Sequence, residues 1–202
     1  MAFSDQQALL SIAPIGQIKI TAHEALPNQR KGPFLTFETQ DGALLKRIDF
    51  DYSGPEEYPN IVRFRIFNQS NMPGPLIAAV NTSVGGSAII FEALIIGIID
   101  GKISELSDRI EGQSINCLYI GKFGHYPSIS FLYLDDVPAG DEIHYAPHRY
   151  QEKLYTWRGD KFVLVSERKT KSKYKYCGDA AVELGYHCQH EIFSELNPYK
   201  GK

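Results

Sequence analysis

The chain holds one tryptophan, two methionines and three cysteines in 202 residues. No apolar run is long enough to cross a bilayer. The longest, Ser87 to Ile99, is interrupted by Glu92 and Gly97 and falls short of the ~20 residues a spanning helix requires. An excess of basic charge is missing too. Lys and Arg number 21 against 24 Asp and Glu, for a net charge of −3, which argues against a nucleic-acid binder, since such domains carry a clear basic surplus. Nucleophile elbows of the Gly-x-Ser-x-Gly type, phosphate-binding loops and dinucleotide fingerprints are all absent. Ser87 does follow Gly85-Gly86, but without the rest of an elbow this reads as a turn. No acidic segment has the Asp-x-Asp-x-Asp-Gly spacing of a calcium loop. The start, Met1-Ala2-Phe3-Ser4-Asp5, lacks the charged and apolar regions of a signal peptide. The expectation is therefore a cytoplasmic chain or a mature exported one.

What the chain has in quantity is Tyr (12), Phe (11), Gly (17) and Pro (11). Tyr and Phe suit half-buried pleated surfaces, and Gly and Pro punctuate turns. With 43% hydrophobic and 22% charged residues, composition predicts a globular chain, read as one domain over residues 1–202.

Strand patterns follow. Gln17 to Ala22 alternates polar and apolar residues, and so in places does Ile61 to Phe67. Leu76 to Val80 is a short apolar run, and Ile115 to Ile120 and Ile129 to Leu134 flank a Gly-containing loop. Three hairpins are predicted around Asp41-Gly42, Asp100-Gly101 and Arg158-Gly159-Asp160, because Asp-Gly between strand-like runs supplies the positive φ of tight turns. The three glycines recur at nearly equal intervals, but their flanks match poorly, and the recurrence is read as chance. Ser4 and Gln7 have the spacing of a capping box, which predicts a short N-terminal helix ending before Pro14. Asp179 caps a second predicted helix that breaks near Gly185 and ends before Asn197-Pro198. The expected fold is mainly β: antiparallel sheets in sandwich, barrel or propeller-like packing, with short N- and C-terminal helices.

Of the cysteines, Cys117 lies in an apolar run and reads as a buried small hydrophobe. Cys177 and Cys188 lie in a polar segment, and a disulfide between them is expected, favouring a periplasmic or secreted home over the cytoplasm. His187, His190 and these cysteines do not match a closed zinc module, so no metal is assigned. Pro147, between His144 and His148, argues against a two-ligand helical face. Acid pairs such as Asp135-Asp136 and Asp141-Glu142 read as solvated loop residues. The outstanding surface feature is basic. Were the segment a strand, Lys169, Lys171, Lys173 and Lys175 would share one face, with Tyr174 and Tyr176 on the other. Such a stripe suits an acidic partner or protects a sheet edge.

Tyr155, Trp157, Gly159 and Phe162 form a Tyr-x-Trp-x-Gly-x-x-Phe pattern, downstream of the acid-ended strand Leu132 to Asp136. Together they resemble the terminal strand pairs of exported bacterial β proteins with integrin-like (FG-GAP-type) repeats. The resemblance implies a bacterial, periplasmic β-sheet binding protein; calcium is not carried over, because the Gly-rich calcium loop is missing. In general character the chain is also similar to toxin-neutralising immunity proteins.

The reading that results is a non-enzymatic protein-binding domain, most concretely an inhibitor or immunity protein that occludes a bacterial toxin. Lys169, Lys171, Lys173, Lys175 and Tyr174 are its expected contacts, with no cofactor, no nucleic acid and no membrane span. Two alternatives stand beside it. One is a hydrolase with a site built from His125, His144 or His148 and Asp135, Asp136 or Asp141. The other is a carbohydrate-binding module with an exposed platform of Tyr145, Tyr150 and Trp157.

Overall fold

A computed structural model describes residues 6–12, 15–25, 32–51, 59–68, 72–83, 91–112, 117–123, 126, 128–137, 146–187 and 192–193. The chain divides into two compact units, Met1–Glu111 and Gly112–Lys202. The first unit contains β1 (Gln7–Ile12), β2 (Gly16–His23), β3 (Phe34–Thr39), β4 (Leu44–Asp49), β5 (Asn60–Phe67), β6 (Leu76–Ser83), β7 (Phe91–Ile99), β8 (Lys102–Glu105) and β9 (Ile110–Gly112), whose last residue falls just past the boundary. Among the described residues the second contains β10 (Leu118–Gly121), β11 (Ser130–Val137), β12 (Arg149–Trp157), β13 (Phe162–Lys169) and a short helix, α1 (Cys177–Glu183).

In the first unit, β1 to β4 form one antiparallel sheet and β5 to β8 another, with β9 pairing β7. Alternation explains the packing. Ile18, Ile20 and Ala22 of β2, Leu35 and Phe37 of β3 and Ile48 of β4 share a core with Val62 and Phe64, Ile77 and Ala79, and Leu94, Ile96 and Ile98 of the other sheet. Two sheets facing each other across alternating apolar residues form a sandwich. The predicted N-terminal helix is instead β1. Its alternate residues Ala8, Leu10 and Ile12 pack on this core, and Gln7 pairs with Thr21 along a ladder that ends at Ile12 and Gly16. A two-residue period thus prevails over the capping-box spacing. Just ahead of β1, the Gln6 side-chain amide donates to Phe64 O (3.0 Å) and accepts from Phe64 N–H (2.9 Å), tying the two sheets together.

In the second unit, β10 to β13 form a four-stranded antiparallel sheet in chain order. Ala180 and Ala181 of α1 pack on one face of it, with Leu132, Leu134, Tyr150 and Leu154. Asp179 lies in the first helical turn rather than at the N-cap, which is Tyr176. Gly185 has φ +86°; its N–H donates to Val182 O (3.0 Å) and the Tyr186 N–H to Ala181 O (2.8 Å), the paired bonds of a Schellman stop. Beyond it, the Ile192 N–H returns to Leu118 O (2.9 Å).

All three predicted hairpins form. Asp100 (φ 49°) and Gly101 (φ 75°) both take the positive φ that a two-residue turn from Ile99 to Lys102 requires. The recurrence of Gly42, Gly101 and Gly159, read from sequence as chance, is topological. Each sheet contains a four-stranded meander, and in each the glycine turn joins the third strand to the fourth.

Candidate functional site

The basic run does not continue as a strand. β13 is an edge strand that stops at Lys169, and the next residue explains why. Thr170 N–H donates to Tyr150 O (2.9 Å), while its hydroxyl oxygen accepts from Tyr150 N–H (2.9 Å) and donates to Ser172 O (2.9 Å). A side chain thereby takes the place of the ladder and bends the chain away. The turn that follows is held from below by Glu183, the last residue of α1. Its carboxylate accepts the N–H of Lys171 (2.6 Å) and of Ser172 (3.0 Å), and the hydroxyl of Tyr174 (2.8 Å). These bonds, the Lys171 amide foremost, hold the Glu183 carboxyl at about 2 against its usual 4.5. Tyr174 then re-enters the sheet through an isolated bridge to His148, with N–H to O distances of 2.7 and 2.9 Å.

Lys169, Lys171, Lys173 and Lys175 are all exposed, but around a pinned turn rather than along one strand face, which corrects the predicted stripe. Tyr174 is half-buried with its hydroxyl on Glu183. Arg168, the first cation of the run, is engaged elsewhere. Its Nε donates to Glu152, which is fully buried, and its Nη2 donates to the Tyr186 hydroxyl (2.8 Å) and to Leu184 O (3.0 Å). The Tyr186 hydroxyl in turn donates to Glu152 (2.8 Å), and burial first, then that carboxylate, pushes its ionisation upward.

The disulfide joins Cys177 to Cys117, not to Cys188, which lies outside the described residues. Cys117 immediately precedes β10 and Cys177 opens α1, so packing α1 on the sheet brings together two thiols 60 residues apart in sequence. That contact is tertiary, and local spacing carries no trace of it. Both cysteines are buried, and the Tyr119 hydroxyl lies 3.4 Å from Cys177 Sγ.

Of the other predicted positions, only some fall among the described residues. His125, His144, Asp141 and Tyr145 lie outside the described residues, as does the side chain of Asp136. His148 is buried on its bridge, and Asp135 accepts from the Tyr133 hydroxyl (2.6 Å). Tyr150 and Trp157 are buried rather than exposed, which removes two of the three members of the expected aromatic platform. Among the described residues no group of His, Cys, Asp and Glu could hold a metal ion, and no helix is long and apolar enough to cross a membrane.

Sequence reasoning missed a buried polar end of the first unit. Asn60, Asn81, Ser83 and Glu92 stand on the core-facing side of β5, β6 and β7, in register with one another. Glu92 accepts from Arg109 and from Asp51 N–H (3.1 Å), and Asn81 Nδ2 donates to Asp51 O (2.6 Å). The polar triplet Asn81-Thr82-Ser83 closing an apolar strand was the available signal. No comparable signal marked Glu183.

Comparison of the chain with protein-family models, curated proteins and solved structures found no match.

Proposed function

We propose that this chain is a non-enzymatic protein-binding protein whose contact surface is the lysine turn, and that its partner presents an acidic face. The observation that carries this reading is the pinning of the turn. Four exposed lysines stand on a backbone fixed by Glu183, Thr170 and the His148 bridge. A pre-ordered charged surface loses less entropy on docking than a loose one, and clustered charge speeds encounter with an opposite face. The most concrete form is an inhibitor or immunity protein that neutralises a bacterial toxin by occluding it. The Cys117–Cys177 bond supports a periplasmic or secreted location, where disulfides persist.

The test is purification of the tagged chain from its native host together with the product of the neighbouring gene, followed by titration calorimetry. A stoichiometric acidic partner is expected, bound at least about tenfold more weakly when Lys169, Lys171, Lys173 and Lys175 are changed to Glu, and weakening with salt. A partner indifferent to those changes, or no stoichiometric partner at all, overturns the proposal.

A further inference from the structure

We infer that Tyr176, not Tyr174, is the aromatic anchor of this surface, and that the acidic partner face carries aliphatic side chains at its centre to cover the ring. The inference rests on the reading of the lysine turn as the contact surface and assigns it a second chemistry. Tyr174 is ill-suited to the role, being half-buried with its hydroxyl on Glu183 and its backbone in the His148 bridge. Tyr176 is 60% exposed, and its backbone is fixed from both sides. Two residues earlier the chain is bridged to His148; one residue later it is cross-linked through Cys177. Tyr176 is itself the N-cap of α1 in extended conformation, and its carbonyl accepts the Ala180 N–H.

An exposed aromatic on ordered backbone has only its two side-chain torsions left to lose on docking, which is why tyrosine recurs at the centre of protein interfaces. Lys175 Nζ stands 5.5 Å from the centre of the Tyr176 ring, so cation and ring are presented together. A purely acidic partner would complement the charge of the lysines and leave the ring in water. One that adds aliphatic groups satisfies both.

Two fluorescein-labelled peptides test this by anisotropy: a short Asp/Glu/Ser peptide, and the same peptide with leucines at its centre. The leucine peptide is expected to bind at least about fivefold more tightly. Tyr176→Ala should abolish that preference without changing the thermal melt, and Tyr174→Phe should preserve it. Lys169→Glu with Lys171→Glu should weaken both peptides. Equal binding of the two peptides by the unaltered protein, or a preference that survives Tyr176→Ala, overturns the inference while leaving the lysine reading standing. Binding indifferent to the lysine changes, or no binding of either peptide, overturns the lysine reading itself.

Discussion

The two units reach stability by different means. In the first, two sheets bury aliphatic and Phe side chains against each other in a cluster without polar side chains, and the buried Glu92, paired with Arg109, stands at its polar end. In the second, the core between α1 and its sheet contains Tyr119, Tyr150 and Tyr186 and both halves of a disulfide, with the buried Glu152 tied to Arg168 and Tyr186 nearby. A seven-residue helix contributes little apolar area, and small cores commonly need covalent fastening. The fastened unit is also the one that presents the lysine turn. The same fastenings that hold α1 hold Glu183, and through it the turn.

The disulfide is the sharpest way to separate the two units. It closes a loop across 60 residues, which corresponds to about 4 kcal/mol of unfolded-state entropy. Cys117→Ser with Cys177→Ser should lower denaturant stability by about that amount, and hydrogen exchange should accelerate first in α1 and β10. Equal acceleration in β1 to β4 would break the comparison. In the first unit the corresponding lesion is a cavity. Ile20 is fully buried between the sheets, and Ile20→Ala should cost about 3 kcal/mol, with protection lost across β1 to β8 together. If exchange rises in β2 and its neighbours alone, the two sheets do not share one core.

A smaller effect tests the ionic fastening. Removing one partner of a buried pair leaves an uncompensated charge. Glu152 is fully buried, but the Arg168 side chain is 47% exposed, so water can replace part of what it gives. Arg168→Met should cost about 2 kcal/mol in a denaturant melt, and adding Glu152→Gln should restore most of it. Failure of the second change to compensate would locate the role of Arg168 in its bonds to Leu184 and Tyr186.

Much of this was legible where local chemistry decides. Asp100-Gly101 announced its turn because only a short list of residues tolerates two successive positive φ values, and Gln17 to Ala22 announced its strand by strict alternation. The N-terminal helix failed because a three-residue spacing says nothing about a β2 edge waiting to be paired. Cys117 was correctly read as buried, but its bond to Cys177 depends on where α1 packs. The lysines were correctly read as exposed, whereas the end of β13 depends on Thr170 and Tyr150, and the turn on Glu183. Those partners are brought together by the fold, beyond the reach of periodicity.

The turn itself yields the smallest and most specific prediction. The ionised Glu183 carboxylate is the form that accepts the Lys171 and Ser172 amides, so the folded chain favours it and its pKa falls from 4.5 to about 2. A depressed carboxyl contributes fully above its ordinary value, and the contribution disappears as pH drops through the folded value. The contribution of the turn therefore falls away between about pH 4.5 and about pH 2, and the carboxyl itself titrates at the lower end of that window. Because the group is exposed, the global melt should scarcely move. The readout is the amide proton shifts of Lys171 and Ser172 by NMR, which should hold their downfield positions at pH 4 and titrate together with a midpoint near 2. In Glu183→Gln both shifts should move upfield and lose that titration, while the amides of the first unit stay unchanged. A midpoint near 4.5 in the unaltered protein would mean that Glu183 does not hold the turn in solution, and the lysines would then stand on a loose segment rather than a prepared surface.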